Sequence, residues 1–342
     1  MTHSKNSLAV HQQGVIPVLG IDVSKLTLDA CMITAESISH HRVRNDHEGH
    51  QQLHAWALAI SPEYCACLES TGSYGEALAK YLFKEQVAVS LVNPAQTAAF
   101  AKAQLLRTKT DKVDAESIAR FARAMLLEGQ LPRYESRSQE DDALQELVRH
   151  RDALVTQRQQ VINRNGDAEL AAIKRSNQKL IDTIDREIKQ IESAIRTLIG
   201  QHERLKAQYD LLTSIPGVGP VTATTVLAEL PAIERFSRAN QVAAYAGLTP
   251  RTRHSGSRTP LSQPITKTGN QRLRKTLYMA AMVAIRSNPI MKQFAARLYL
   301  KGKAPKKVIV AIMRKMTHLI YAILRNEVPF NANHIKVMAG PN

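Results

Sequence analysis

Cysteine is scarce in this chain. Three occur in 342 residues, Cys31, Cys65 and Cys67. The last two, two apart in an apolar run, would share one face of a strand too closely for a relaxed disulfide. A disulfide-stapled secreted scaffold is excluded, and a reducing cytoplasm is the expected compartment. Long apolar runs are missing as well. No stretch reaches the roughly 18 uninterrupted apolar residues of a membrane span, and the polar N-terminus lacks the charged-then-apolar layout of a secretory signal. The chain therefore reads as soluble and intracellular, with no membrane partner. A third absence says most about function: between Glu234 and Glu327 there is no acidic residue. By segment, residues 1–130 carry 12 Lys+Arg against 13 Asp+Glu, residues 131–200 carry 12 against 12, and residues 201–342 carry 22 against 5. The net charge of +16 thus resides in the last third, a polycation whose natural partner is nucleic acid.

The periodicity divides the chain into three regions. PVLGIDVS reads as a buried strand, LTLDACMIT as a second strand with Leu28, Ala30 and Met32 on one face, and SISHHRVR as a third. Helical spacing over His47–Ile60 is followed by the short buried strand EYCACLES, another helix, the strand VAVSLVNP, and an amphipathic helix from Asp111 toward Gly129. This is an α/β region of about 130 residues by the usual size of such units. From Ser138 to Gly200 proline is absent, and glycine occurs once, at Gly166, before the end. There Leu147, Leu154 and Val161 recur every seven residues, and Leu180, Ile184, Ile188, Ile191, Ile195 and Leu198 trace an a/d seam. An intramolecular helical hairpin and a dimer seam fit this pattern equally. The last region opens with SIPGVGPVTATTVLAEL, a Pro-Gly turn into a helix whose glycines could let N–H groups approach a phosphate. TLYMAAMVAI and KKVIVAIMRKMTHLIYAIL follow as apolar helices of a core.

Four acids stand out by position. Asp22 lies inside a buried strand, where an unpaired charge is costly, and Glu69 ends a strand in the same way. Asp111 and Asp114 share a face at a helix start, where capping alone would account for them. Strand-end acids joined by helix-start acids change the balance, because converging carboxylates repel unless a hard divalent cation such as Mg²⁺ neutralises them. Paired cations in such a site serve phosphoryl transfer. No Cys/His cluster offers zinc an alternative, His40 and His41 being expected at the surface, and there is no Walker loop, GxGxxG or HExxH.

The segment RTRHSGSRTP sets Ser255 and Ser257 among Arg251, Arg253, His254 and Arg258 with no carboxylate. A hydrolase serine would need a base oriented by an acid, and adjacent His254 is poorly placed for that. Arginines beside a serine do suit a phosphodiester. Composition leaves two readings open: a nucleophile whose acids come from the α/β region, in this chain or another, and a basic loop that only holds phosphates. Lys267, Arg272, Arg274 and Lys275, around the helix start KTGNQRLRK, are expected as further phosphate contacts.

Taken in order, GIDVSK, LESTGSYG, VNPAQ, RTKTDKVDA, IPGVGPVTA, YAGLTP, HSGS and KTGNQRLR resemble the DEDD-type transposases of the insertion-sequence-one-ten group, bridge-RNA-guided recombinases related to a pilin-gene DNA invertase. The resemblance covers nearly the whole chain. It implies a RuvC-like, ribonuclease-H-type domain over residues 17–132, coiled-coil helices over 133–205, and a mostly helical basic transposase domain over 206–342; residues 1–16 depart from the family pattern as an extension expected to be disordered. It further implies Asp22, Glu69, Asp111 and Asp114 as an Mg²⁺-binding tetrad, and Ser255 as the nucleophile that forms a covalent phosphoserine-DNA intermediate, with Ser257 as the fallback. Its implied partners are donor and target DNA, a bridge RNA, and further copies of the chain as a dimer, or a tetramer in the synaptic complex, in a bacterial cytoplasm at the nucleoid. Two alternatives remain: a metal-dependent junction-resolving endonuclease without a covalent intermediate, and a non-catalytic nucleic-acid-binding protein.

Overall fold

The computed structural model describes residues 16–69, 74–104, 111–250 and 264–332. They form two compact units, Met1–Ser136 and Arg137–Asn342.

In the first unit, β1 (Val18–Val23), β2 (Thr27–Ile33) and β3 (Ile38–Arg44) form an antiparallel meander, while β4 (Cys65–Glu69) and β5 (Ala88–Val92) add in parallel beside β1. The sheet order is β3-β2-β1-β4-β5. The period-two pattern sorts the side chains. Leu19, Ile21, Leu28, Ala30, Met32, Ala66 and Leu68 turn to one face, under α1 (His47–Ile60) and α2 (Glu76–Lys84), which contribute Leu53, Ala57, Leu78 and Leu82. Val18, Cys65, Cys67 and Val92 turn to the other, against α4 (Asp111–Leu127). The three cysteines are buried and form no disulfide. Burial pushes the Cys65 thiol up to about 11, so it stays a protonated core residue.

Between β5 and α4 lies α3 (Pro94–Ala103), whose start explains the motif VNPAQ. Asn93 Oδ1 accepts from the Ala95 N–H at 2.9 Å, Pro94 occupies the first turn, and Gln96 Oε1 accepts from the Asn93 N–H at 3.4 Å. The histidines expected at the surface are half-buried instead. His40 pairs in register with Cys31 and lies 3.7 Å from Glu116 of α4, and His41, on the opposite face of β3, stacks on Trp56 at 5.0 Å. Alternation along a strand that packs on both sides covers neighbouring residues from opposite directions.

The second unit begins with α5 (Gln139–Asp167) and α6 (Ala171–Gln201). Leu144 and Val148 pack with Ile195 and Ile199, while Arg151 pairs with Glu192 at 3.0 Å. The two helices therefore run antiparallel as an intramolecular hairpin, broken just after Gly166. The buried line on α6 departs from the expected seam at one end: Leu180 is 48% exposed, and Ile181 takes its place inside. α7 (Glu203–Thr213), α8 (Pro220–Glu229), α9 (Ala239–Tyr245), α10 (Gln271–Ser287), α11 (Pro289–Leu300) and α12 (Pro305–Asn326) follow. Leu212, Val226, Leu277, Ala281, Ile312 and Met316 form their shared core. Gly217, read as part of a phosphate cradle, has a packing reason: a Cβ there would stand 2.7 Å from that of Ala284 on α10. Among the described residues, no helix is long and apolar enough to cross a membrane.

Candidate active site

The first candidate site is assembled by one glycine. A Cβ on Gly20 of β1 would lie 2.3 Å from the Ala119 nitrogen and 2.5 Å from the Ala115 oxygen. Helix α4 therefore rests directly on the strand, possible only where the strand has no side chain. Ala115 and Ala119 pack with Cys31 and Ile33 of β2, and one turn further along α4 Arg123 Nη1 donates to the Thr34 carbonyl, just past the end of β2, at 3.3 Å. β2 is antiparallel to β1, so α4 runs against β1 and its first turn reaches the carboxyl end of that strand. Asp22 and Glu69 occupy that end. In the parallel β1–β4 pair Ile21 is opposite Leu68, and the next residues along the two strands are Asp22 and Glu69, both on the face toward α4.

Both carboxylates are half-buried, as is Asp114 in the first turn of α4. Asp111 is the first residue of α4, and its side chain lies outside the described residues. Among the described residues, no three His, Cys, Asp or Glu side chains form a group able to hold a metal ion. Among the described residues, what the sheet end supplies is Asp22 and Glu69 at the ends of neighbouring strands and Asp114 in the helix turn directed toward them, and carboxylate oxygen is the donor type that suits a hard divalent cation.

Two residues beside these acids escaped the sequence reading. Thr97 of α3, only 3% exposed, donates its hydroxyl to Glu69, and the capped start of α3 is what delivers it. Asp29 is the cross-strand partner of Asp22, and Arg42 on β3 lies 3.5 Å from it. The alternation of Leu28, Ala30 and Met32 could have signalled Asp29, since it assigns that residue to the opposite face. Thr97 had no signal in the sequence.

The second candidate site lies in the helical unit, where two of the motifs prove to be halves of one stem. Residues 245–250 and 265–270 run side by side. Pro250 bridges Ile265, Thr266 N donates to the Thr249 carbonyl at 2.8 Å, and Asn270 N donates to the Tyr245 carbonyl at 2.7 Å. Both glycines adopt left-handed φ, +70° at Gly247 and +146° at Gly269. A Cβ on Gly269 would lie 2.4 Å from the Tyr245 oxygen. Arg251, Arg253, Ser255, Ser257 and Arg258 belong to the segment between the two halves and lie outside the described residues.

At the base of the stem, Asn270 caps α10, its Oδ1 accepting from Leu273 N at 2.9 Å, and its Nδ2 donates to Glu229 at 2.8 Å. Glu229 is 2% exposed and also receives Arg149 Nε at 2.9 Å. Burial alone would raise its pKa, but the hydrogen bonds from Arg149 and Asn270 and the nearby positive charge prevail and hold it below the usual carboxylate range. Nothing in its sequence context sets Glu229 apart. Of the predicted phosphate contacts, Lys267, Arg272 and Lys275 are exposed. Arg274 is half-buried and donates to the Ala246 carbonyl at 3.0 Å, so part of its fork holds the stem.

Residues 19–168 match a family profile described as "Transposase", and residues 209–296 match one described as "Transposase IS116/IS110/IS902 family". A "Pilin gene-inverting protein" of Moraxella lacunata is 32% identical over 318 residues, covering 92% of this chain and 97% of the relative. The chain belongs to the IS116/IS110/IS902 transposase family. A "Transposase for insertion sequence element IS1111A" of Coxiella burnetii is 25% identical over 345 residues, covering 91% and 90% of the two chains. A Thermus thermophilus RuvC structure in complex with a Holliday junction substrate is similar to 35% of this chain and 99% of its own, at 15% identity and a TM-score of 0.28. The sheet's own strand order, not that likeness, defines the fold. In this transposase the first matched segment holds all four predicted acids, and the second holds the stem with Lys267, Arg272, Arg274 and Lys275.

Proposed function

We propose that this transposase cuts and rejoins donor and target DNA by attack of Ser255 on a phosphodiester, with Asp22, Glu69, Asp111 and Asp114 holding Mg²⁺ beside the reacting phosphate. The observation that carries the reading is the placement of Asp22 and Glu69 at the carboxyl ends of neighbouring parallel strands, with the start of α4 laid over Gly20 toward them. The order β3-β2-β1-β4-β5, three strands antiparallel and two added in parallel, supports a RuvC-like, ribonuclease-H-type domain. When bound, the cation would supply charge neutralisation and polarisation of the phosphoryl oxygens.

The chain's own residues do the rest. Ser255 Oγ loses its proton as it bonds to phosphorus, and the departing sugar oxygen takes up a proton as its bond to phosphorus breaks. A hydroxyl of the second duplex then attacks the phosphoserine and releases the serine. Arg251, Arg253, Arg258, Lys267, Arg272 and Lys275, with the remaining donors of Arg274, neutralise the phosphates being exchanged. The basic last third suits a bridge RNA as well as DNA. Leu170, Ile173 and Leu180, at 66%, 46% and 48% exposure along the α5–α6 hairpin, offer an apolar edge for the further copies that synapsis of two duplexes needs.

The test is a denaturing gel of the protein with labelled donor DNA and Mg²⁺. A protein–DNA adduct lost in Ser255→Ala and kept in Ser257→Ala supports the reading. Full strand exchange by Ser255→Ala would refute the serine nucleophile and favour a junction-resolving endonuclease, and indifference to Asp22→Ala would leave only nucleic-acid binding. Sequencing the RNA that co-purifies with the protein decides the guide: a transcript from DNA flanking the gene supports it, and random cellular RNA overturns it.

A further inference from the structure

The opposite face of the sheet, at the same end, carries a groove that neither the acids nor the serine segment uses. It is an open depression of about 390 Å³, lined chiefly by Lys25, Asn45, His47, His50, Tyr74 and Tyr81. Asn45 builds its wall. Its Nδ2 donates to the Ser24 carbonyl at 2.8 Å and to the Tyr74 carbonyl at 3.1 Å, tying the turn after β1 to the residues before α2. With both amide hydrogens engaged, Oδ1 faces His50 Nε2 at 3.0 Å and requires the imidazole proton there. Burial, then repulsion from His47, lowers the His50 pKa, so this floor residue is an uncharged ring at neutral pH. His47 and His50 each stand 5.9 Å from the Tyr81 ring, edge-on and tilted respectively. At the mouth, Tyr74 is 47% exposed and Lys25 is exposed. The one carboxylate in the lining, Asp46, is engaged as the N-cap of α1, accepting from Gly49 N at 2.8 Å.

Aromatic rings on floor and mouth, with a single cation at the rim, match a flat heterocycle attached to one phosphate. Lys25 follows Asp22 by three residues. Gly75, beside Tyr74, lies where a Cβ would stand 3.8 Å from the Glu69 carbonyl and 3.7 Å from Val23. The groove therefore opens next to the carboxyl ends of β1 and β4. We propose that it takes one unstacked nucleobase of a DNA strand, flanking the phosphodiester held at Asp22 and Glu69, with Lys25 on the adjoining phosphate. The assignment rests on the phosphodiester chemistry proposed above.

The experiment is photocrosslinking of the full-length protein to a single-stranded oligodeoxynucleotide carrying 5-iododeoxyuridine, with the modified peptides mapped by mass spectrometry. Adducts are expected on Tyr74, Tyr81 or His47, falling about tenfold in a Lys25→Ala/Tyr74→Leu variant, since one stacked base contributes roughly 1–3 kcal/mol. Adducts with the C-terminal unit should be unchanged. Both substitutions are at exposed positions, and Lys25→Ala alone should lower the yield in the same direction. Crosslinks confined to the C-terminal unit, yields indifferent to both variants, or ring adducts formed with an iodouridine RNA but not with the DNA would overturn the proposal. Failure of the phosphodiester reading shows separately, as strand exchange surviving Asp22→Ala, a change that should leave ring crosslinks in place.

Discussion

Replacing Gly20 by alanine tests whether one missing side chain builds the acidic site. The added Cβ would stand 2.3 Å from the Ala119 nitrogen, 2.5 Å from the Ala115 oxygen and 2.7 Å from the Ala119 Cα. All three are backbone atoms, so no rotamer change relieves the contact. Restoring ordinary contact at 3.4 Å requires α4 to lift from the sheet by about 1 Å. Overpacking of this kind costs typically 1–3 kcal/mol, and a clash with rigid helix backbone belongs at the upper end, so we expect the first unit to lose about 3 kcal/mol in urea unfolding. Because α4 carries Asp111 and Asp114, the same shift moves two of the four acids, and a misplacement of about 1 Å costs on the order of 10²-fold in rate. The assay is adduct formation and strand exchange with Mg²⁺, at a temperature where circular dichroism shows the variant folded. A Gly20→Ala protein within about 0.5 kcal/mol of the parent, the scatter of harmless substitutions, and with full activity would refute the claim that this contact sets the site.

Two other positions give independent checks. Thr97→Val removes a buried hydroxyl that donates to Glu69, so we expect a 10- to 100-fold rise in the Mg²⁺ concentration needed for activity, in the range seen when residues that orient ligands are lost. An unchanged Mg²⁺ titration would deny Thr97 that role. Glu229→Gln breaks an ion pair whose carboxylate is buried and whose Arg149 is 37% exposed, and should cost about 2 kcal/mol in thermal or urea unfolding of the second unit. Since its pKa in the folded protein is depressed, the parent's stabilisation is present above the unfolded carboxylate value near 4.3 and is lost as pH falls through the folded value. The parent and Glu229→Gln should therefore converge in stability on acidification below about pH 4, and a gap that stays constant down to pH 2 would contradict the ion-pair account.

Most elements were legible because each is short, periodic and bounded by its own signals. His47–Ile60 needed only a helical stripe, and β4 only an apolar run ending in an acid. What the sequence concealed depends on register between strands or on packing between distant segments. Asp29 becomes the neighbour of Asp22 only when β1 and β2 pair in that register, and Thr97 reaches Glu69 only once α3 lies beside β4. Leu180 and Ile181 are both apolar, and which one turns inward is decided by the phase of the α5–α6 packing. The motifs YAGLTP and KTGNQRLR were visible separately, but their pairing into one stem needs Gly269 in a backbone conformation that side-chain-bearing residues rarely adopt, with no Cβ against the Tyr245 carbonyl.

The charge counts take on a different meaning once burial is known. Residues 201–342 hold five acids against 22 basic side chains. One of the five, Glu229, is 2% exposed and committed to Arg149, which lies outside that segment, and to the neutral Asn270. Paired with Arg149, it leaves four acids of that segment to set against its 22 basic side chains, of which Arg272 lies near enough to feel its charge. The first unit is near neutral in sequence, yet it gathers Asp22, Glu69 and the start of α4 at one end of its sheet. An acidic cluster of that kind repels a phosphodiester unless cations intervene. Under the proposed chemistry, attraction of the polyanion falls to the basic unit, and the neutral unit positions the reaction. This division of labour predicts the order of failure: loss of Arg272 or Lys275 should weaken binding and flatten its salt dependence, whereas loss of Asp22 should abolish reaction while leaving binding intact.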